Sequence, residues 1–175
     1  MKYISLILLC IFFSCQNEHV FRRECEYYRD GKIQEVFSKR DTIKYTDSTL
    51  IYSSKLEGEF STHGKWILPS SDEKQRKVLN NNTASYLVKN KEFVIDGKIF
   101  HVTKYFVDNV MSADEESNKF YCKEFGIIIE TFWPKNYIKT VKIEGVENPI
   151  LNQLISKIME DEAFMWHQNE LKNSH

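Results

Sequence analysis

The sequence has few prolines and glycines and no surplus of positive charge, and each shortage excludes a class of protein. Three prolines and six glycines in 175 residues are too few for a collagen-like chain or a chain dominated by linkers. The 24 lysines and arginines are matched by 25 aspartates and glutamates, for a net charge of −1. Proteins that hold nucleic acid rely on a basic surplus to neutralise phosphates, so we expect no nucleic-acid partner.

Familiar catalytic and cofactor motifs are also missing. The chain has no GxSxG, no HExxH and no glycine pattern of a P-loop or dinucleotide site. Its five histidines are scattered and no CxxC occurs, so the sequence predicts no metal site and no cofactor. A nucleophile–base pair of Cys122 with His101 is conceivable, but nothing in the sequence brings the two together.

The chain opens with a short apolar run. Residues 4–13 are apolar except for Ser5 and follow a positive start at Lys2. A run of about ten residues is half of what a membrane-spanning helix needs, and this pattern is typical of a secretory signal. A cut after Ser14 by ordinary signal peptidase is disfavoured, because Phe12 is too large for a position that requires a small side chain.

Ser14 followed by Cys15, after the apolar run, resembles the lipobox of bacterial lipoproteins. The resemblance covers only the first fifteen residues, and Phe12 and Phe13 stand where that family prefers leucine and a small or β-branched residue. It implies that residues 1–15 are a lipoprotein signal peptide, that Cys15 carries the lipid, and that the membrane is a partner through this anchor. The implied location is the bacterial cell envelope, as an outer-membrane lipoprotein. The alternative is another kind of signal in which Cys15 is incidental.

The remaining 160 residues have the length of one domain. We divide them into a tether at 16–22, an antiparallel β region at 23–147, and a C-terminal helix and tail at 148–175. Cys25 and Cys122 remain in this part. Outside the cytoplasm they could form a disulfide or stay as two buried thiols, and the sequence leaves both alternatives open.

Two Asp-Gly pairs predict hairpins. Around Asp30-Gly31, a two-residue loop would place like charges opposite each other, which is unfavourable, so we predict a three-residue loop that pairs Cys25 with Phe37. Around Asp96-Gly97, a two-residue turn pairs Glu92 with His101, which makes these two residues weak catalytic candidates. The predicted core face of this second hairpin consists of Phe93, Ile95, Phe100, Val102 and Phe106. Its predicted half-polar surface consists of Glu92, Val94, Ile99, His101, Thr103 and Tyr105.

The C-terminal region changes to helical periodicity. Asn148 before Pro149 predicts a helix start, and apolar residues from Leu151 to Trp166 form one stripe. We predict a helix over 149–167. Glu162 falls inside this stripe and is a weak candidate for contacting a ligand, because a buried carboxylate there would have a raised pKa. The alternative is that the helix end lets this side chain reach water or a lysine. Residues 70–82 are predicted to be a loop or one helical turn, and the run of isoleucines at 127–129 predicts a strand covered on both faces.

These elements predict an α+β domain: a strongly curved antiparallel sheet or partly open barrel, with one C-terminal helix packed on it. Aromatic residues spread over its strands predict either a filled core or an apolar cavity: Tyr27, Tyr45, Tyr52, Trp66, Phe93, Phe100, Phe106 and Phe132. The favoured function is non-enzymatic binding of an apolar small molecule or a protein by a lipid-anchored protein. The alternatives are an inhibitor or immunity-type interaction module, and an unfamiliar envelope hydrolase that uses Glu92 and His101.

Overall fold

The computed structural model describes residues 18–46, 48–57, 63–70, 77–80, 82–109, 116–132 and 135–166. This part of the chain folds into ten strands followed by two helices. The strands are β1 (Glu18–Arg29), β2 (Lys32–Tyr45), β3 (Thr49–Leu56), β4 (His63–Pro69), β5 (Lys77–Asn80), β6 (Thr83–Ile95), β7 (Lys98–Asn109), β8 (Ser117–Cys122), β9 (Gly126–Phe132) and β10 (Asn136–Ile143). The helices are α1 (Asn148–Glu160) and α2 (Glu162–Trp166).

The ten strands form one antiparallel sheet that curls into a nearly closed barrel. Its order is β4-β3-β2-β1-β10-β9-β8-β7-β6-β5, so each strand pairs with its neighbour in sequence except at β4 and β5, and β10 returns to pair with β1. The two edge strands lie against each other, and β4 also contacts β6. The prediction of a curved antiparallel sheet with a C-terminal helix is confirmed, but the molecule is mostly sheet with little helix.

The second hairpin has the predicted register. Ile95 pairs with Lys98, Phe93 with Phe100 and Glu92 with His101. Asp96 and Gly97 both have positive φ, at 48° and 76°, which is the backbone that a two-residue hairpin turn with the right-handed twist requires.

In the first hairpin, the register is confirmed but the predicted loop length is wrong. Cys25 pairs with Phe37, yet the turn has two residues, and Arg29 does lie opposite Lys32. A β-bulge next to Tyr28 supplies the extra residue that the three-residue loop was meant to provide. The one-residue shift in register is therefore accommodated by the bulge and not by a longer turn.

The sheet buries side chains on both of its faces. The outer face of β6–β10 packs against the helices, in a cluster that includes Phe93, Phe100, Phe120, Leu151 and Leu154. The inner face fills the barrel with a second cluster, which consists of Ile43, Leu50, Tyr52, Leu68, Leu87, Tyr105, Val107, Tyr121 and Ile127.

The buried inner face of the barrel corrects part of the predicted half-polar surface of the second hairpin. Phe93, Ile95, Phe100 and Val102 are buried as predicted, and Phe106 is half-buried. Thr103 and Tyr105, however, are buried inside the barrel rather than on a half-polar surface. The isoleucines at 127–129 divide between the two clusters and are each 1% exposed, which confirms a strand covered on both faces.

The C-terminal helix is interrupted. Asp161 ends α1 and begins α2, because its carboxylate accepts a hydrogen bond from the Phe164 backbone N–H at 3.0 Å. The break turns Glu162 out to an exposed position, which is the alternative in which this carboxylate reaches water instead of being buried. Glu147 precedes α1 and makes no side-chain capping hydrogen bond to it. Pro149 lies in the first turn of the helix.

Two boundaries also differ from the predictions. The segment predicted as a loop contains the short strand β5, although residues 71–76 lie outside the described residues. β1 begins at Glu18 and therefore includes most of the predicted tether. Neither α1 nor α2 has the length and apolar content that crossing a bilayer needs.

Candidate functional site

The barrel has two ends that differ in chemistry. At the N-terminal end, β1 begins at Glu18 and the hairpin β6–β7 turns at residues 96–97. At the opposite end, which we call the distal end, β1 turns into β2 at residues 30–31 and β9 leads to β10. Alternation along the strands assigns inward-facing residues, because directly paired residues share a face.

An apolar cavity of about 350 Å³ lies at the distal end. Its lining consists of inward-facing residues of β1, β2, β3, β9 and β10: Tyr27, Glu35, Phe37, Leu56, Phe132 and Ile138. Five of the six are half-buried, while the carboxylate residue Glu35 is exposed at the rim. The cavity is within the lower part of the size range of small-molecule sites.

Charged side chains occupy the next inward-facing layer of the barrel. Arg23 and Asp41 lie on β1 and β2, and their side chains are fully buried, with Nη2 of the arginine 2.8 Å from Oδ2 of the aspartate. Tyr52 donates a hydrogen bond to the same carboxylate oxygen at 3.0 Å. Arg23 also donates to the Thr140 hydroxyl at 3.4 Å. A buried pair of this kind needs such additional hydrogen bonds to offset the loss of hydration.

A second group of charges lies directly beneath the apolar cavity. Glu130 accepts hydrogen bonds from Lys39 through one oxygen and from Lys119 through the other. Lys39 follows Phe37 on the inner face of β2, and Glu130 precedes Phe132 on the inner face of β9. The ammonium nitrogen of Lys119 also lies 4.0 Å from the ring centroid of Trp66, a favourable cation–π contact.

Burial and ion pairing shift the pKa values of Glu130, Lys39 and Lys119 in different directions. Burial alone would raise the pKa of Glu130, but the two lysines outweigh it and hold that pKa well below the usual range. Burial also opposes the charge on Lys39, yet the carboxylates of Glu130 and Asp41 raise its pKa above the ordinary value. For Lys119, burial exceeds the attraction of Glu130, and its pKa is lowered. Glu130 therefore contacts both lysines, but the pKa of Lys39 lies above its ordinary value and the pKa of Lys119 lies below it.

The buried cluster contains one more cation than carboxylates. We call Arg23, Lys39, Asp41, Lys119 and Glu130 the interior charge cluster, and its formal charge is +1. Moreover, Nε of Arg23 and Oδ1 of Asp41 have no hydrogen-bond partner within the described ranges, and Nη2 of Arg23 contacts Oδ2 of Asp41 as an ion pair without hydrogen-bond geometry. An apolar cavity above a buried surplus of positive charge suits a molecule with an apolar body and an anionic head.

The N-terminal end carries a more polar depression of about 470 Å³. Its lining includes Tyr45 and Tyr121, whose hydroxyls contact each other, together with His101, Lys123 and Glu124. This depression is separated from the distal cavity by the second apolar cluster and the charges.

The predicted pair Glu92–His101 does form, with 3.4 Å between Oε1 and Nδ1. Both side chains are open to solvent, at 62% and 73% exposure, and Glu92 does not line the depression that contains His101. The catalytic role of the pair stays a prediction, and it has no water-excluding surroundings of the kind that strengthen acid–base groups in active sites.

The two cysteines of the domain are free and buried. Cys25 faces the barrel interior beside Thr140, whereas Cys122 faces the helices. Burial raises the pKa of both thiols, which keeps them protonated and poorly nucleophilic. The structure therefore has the second of the two alternatives left open by the sequence. Cys122 and His101 also point to opposite faces of the sheet, which removes the geometry of a nucleophile–base pair.

Sequence analysis missed the interior charge cluster, although a signal for it was present. The predicted register of the first hairpin puts Cys25 and Phe37 on one face, and Arg23, Lys39 and Asp41 share that face by simple alternation. Charged side chains in strands ordinarily face solvent, so this alternation by itself did not indicate a buried cluster. In the part of the chain that the structure describes, no three His, Cys, Asp or Glu side chains come together as a metal would require. Cys15 lies outside the described residues.

Comparisons with known proteins were made at the level of sequence families, curated proteins and solved structures. None of the family models, none of the curated proteins and none of the solved structures matches this chain. The functional argument therefore depends on the geometry and chemistry of the barrel.

Proposed function

We propose that this protein is a lipid-anchored binding protein of the bacterial cell envelope, and that its barrel holds a small molecule with an apolar body and an anionic head. The observation that carries the proposal is the apolar distal cavity of about 350 Å³, with a buried surplus of positive charge in the adjoining layer. At about 30 Å³ per water-sized group, the cavity accommodates roughly a dozen non-hydrogen atoms.

In this proposal the apolar body contacts the aromatic and aliphatic lining, and the head approaches Lys39 and Lys119. Charge-assisted hydrogen bonds of this kind are stronger than neutral ones. The anion would neutralise the surplus charge of the cluster, and it would favour the protonated form of Lys119, whose pKa is lowered in the free protein. Binding is therefore expected to be accompanied by proton uptake at alkaline pH.

The proposed anchor sets the orientation of the barrel. If Cys15 carries the lipid, two residues separate it from the start of β1 at Glu18. An extended connection of this length reaches about 10 Å, so the N-terminal end of the barrel would face the bilayer. Val94 and Ile99, paired at the tip of the β6–β7 hairpin, are 54% and 56% exposed at this end. The distal cavity would then open away from the membrane.

The two rival functions have less support. An inhibitor or immunity module calls for a rigid exposed patch rather than a cavity, and a hydrolase that uses Glu92 and His101 calls for a site protected from water. The distal cavity is not explained by either.

The test compares two ligands that differ only in the head. Decanoate and decanol are titrated calorimetrically into the full chain purified in detergent. We expect decanoate to bind more tightly, because decanol lacks the charge that the cluster favours. Leu56→Trp fills the cavity and should abolish binding, whereas Val36→Trp, on the outer face of the neighbouring strand, should leave it unchanged.

Equal binding by both tryptophan variants would contradict the cavity as the site.

The proposed membrane anchor has a separate test, which is the intact mass of the membrane-extracted protein. A mass with a lipidated Cys15 at the amino terminus supports the anchor, and a retained Met1 or an unmodified Cys15 overturns it.

A further inference from the structure

Basic residues are aligned across the outer face of three adjacent strands. Arg22 on β1 lies directly opposite Arg40 on β2, and Arg40 lies directly opposite Lys55 on β3. All three are exposed and point away from the barrel interior, since they alternate with inward-facing neighbours. Directly opposed like charges destabilise a sheet, so this alignment opposes folding rather than supporting it.

Some cations on this outer face have an acidic partner within the described ranges and others do not. Lys44 pairs with Glu18, with 2.8 Å between Nζ and Oε2, and Arg22 has Glu144 within 3.6 Å. Arg40, Lys55 and Lys65, by contrast, form no ion pair with any other residue that the structure describes. Among the residues that the structure describes, acidic partners thus lie at the margins of this face and not at its centre.

The unpaired cations line one groove. Its volume is about 490 Å³, and its lining contains Arg40, Lys55 and Lys65 with the hydroxyl residues Thr42, Ser53 and Ser54. No carboxylate lines it among the described residues. Ser54 pairs with the inward-facing Asp41, so the hydroxyls on the outer face are those of Thr42 and Ser53. Three cations and two hydroxyls around one concave surface are the donor set that phosphate and sulfate oxygens accept from, and the planar guanidinium adds a two-pronged donor.

We propose that this outer groove, which we call the basic groove, binds a soluble molecule that carries at least two phosphate or sulfate groups. Two groups are required because the groove exceeds the size of one oxyanion and presents three charges that no carboxylate in the described part of its lining compensates. The site is on the opposite face of the sheet from the distal cavity, so it is separate from the function proposed above.

A lipid headgroup offers the same chemistry, and the position of the groove favours a soluble source. Arg22 is four residues along β1 from Glu18, a distance of about 13 Å at 3.3 Å per residue. If the N-terminal end faces the bilayer, as proposed above, the groove lies on the side wall of the barrel. This is farther from the bilayer than the screening length of about 8 Å at physiological salt.

The test measures binding of pyrophosphate and of inorganic phosphate to the full chain in detergent. We expect pyrophosphate to bind more tightly than phosphate, with an affinity that falls as salt is raised. In the double variant Arg40→Gln and Lys55→Gln, the dissociation constant for pyrophosphate should rise at least about tenfold. The melting temperature of the variant in plain buffer should stay the same or rise, because repulsion between opposed charges is removed.

Lys44→Gln is the matched control, since it removes a lysine from the same strand and the same face but outside the groove, and it should bind pyrophosphate as the unchanged protein does. Equal affinity of the double variant and the unchanged protein would overturn the proposal. So would binding to phosphatidylglycerol vesicles with no binding of pyrophosphate, which would assign the chemistry to a lipid headgroup. Leu56→Trp, which tests the distal cavity, should leave pyrophosphate binding unaffected.

Discussion

The two cores of this molecule are built on opposite faces of the same strands, and they differ sharply in chemistry. Between the sheet and the helices, the buried side chains are mostly aliphatic and aromatic, with one buried lysine, Lys104, whose ammonium donates to the Phe164 backbone carbonyl at 2.8 Å. Inside the barrel, similar apolar residues surround five buried charges. Apolar packing suffices to hold a helix on a sheet, whereas buried ion pairs are often no more stabilising than apolar residues of the same volume. The interior charges are therefore the feature of the barrel on which the proposed binding function depends.

Glu130→Gln should break the barrel core most strongly. It leaves Lys39 and Lys119 buried without their shared carboxylate, and loss of one partner from a buried pair costs about 3–5 kcal/mol. Urea unfolding gives the free energy of unfolding. Glu35→Gln, an inward-facing but exposed carboxylate at the cavity rim, is the control and should change it by less than about 0.5 kcal/mol. Equal effects of the two changes would contradict the importance of the cluster.

Leu154→Ala should damage the other core by a different mechanism. This side chain is fully buried between α1 and the sheet, and truncating it to alanine costs about 2–5 kcal/mol through lost burial and a residual cavity. Decanoate binding per folded molecule should be unchanged, because the barrel interior lies on the other face. A selective loss of binding would show that the two cores are coupled.

Lys119→Met should sharpen the comparison by making the barrel core more like the helix core. It removes the surplus cation and leaves two matched pairs. Such replacements are often neutral or stabilising by about 1–4 kcal/mol, and the lowered pKa of Lys119 favours stabilisation at pH 7. Decanoate affinity should fall, since the anion loses its unmatched partner. The exposed outer residue Lys142 provides the control as Lys142→Met.

The pH dependence of this variant has a defined sign. A lysine with a lowered folded pKa destabilises the folded state while it is charged, so the penalty is fully present at low pH. It disappears as pH rises from the folded pKa towards the unfolded value of about 10.4. The stability difference between Lys119→Met and the unchanged protein should therefore narrow over this alkaline range, and a constant difference would contradict the shift.

Acid should weaken the barrel core through Glu130. Its folded pKa is held below the usual value, so its contribution is present above about pH 4.3, the unfolded pKa. The contribution is lost as pH falls from there towards the folded value. The slope of stability against pH below about 4.3 should be shallower in Glu130→Gln than in the unchanged protein. Glu26 and Asp161, whose pKa values are also lowered, contribute to the slope that remains in both proteins.

Asp161→Ala should give the smallest effect. It removes the cap of α2 and the ion pair with Lys91, and a lost cap costs about 1 kcal/mol. Thermal unfolding gives the shift, with the exposed neighbour Glu160→Ala as control. A change as large as that of Leu154→Ala would mean that the break at Asp161 holds the whole helix in place.

Local patterns predicted much of the fold. The Asp-Gly pair at residues 96–97 set its turn and every pair beside it, since positive φ and strand twist act within a few residues. The apolar stripe of the last segment identified the helix. The break at Asp161 was not predicted, because a capping carboxylate within a helix looks like any surface residue until its backbone partner is known.

The candidate sites were less predictable. Net charge gave no sign of the basic groove, because an average over 175 residues hides the segregation of Arg40, Lys55 and Lys65 on one surface. These three residues come from β2, β3 and β4, and they meet only through the register in which the three strands pair. The interior charge cluster was missed for a related reason: Glu130 and Lys119 come from strands far in sequence from Lys39.

By itself, the sequence determined where strands, turns and the helix form, because these depend on side-chain alternation, positive φ and helical periodicity over short distances. The tertiary structure alone decided how the predicted curved sheet is ordered and nearly closed, so that both of its faces become interior on one side of the barrel. Closure buried Arg23, Lys39 and Glu130 away from water. It left Arg40 and Lys55 opposite each other on the solvent-exposed face. The physical reason is that burial and charge proximity depend on contacts between distant segments, which no local pattern contains.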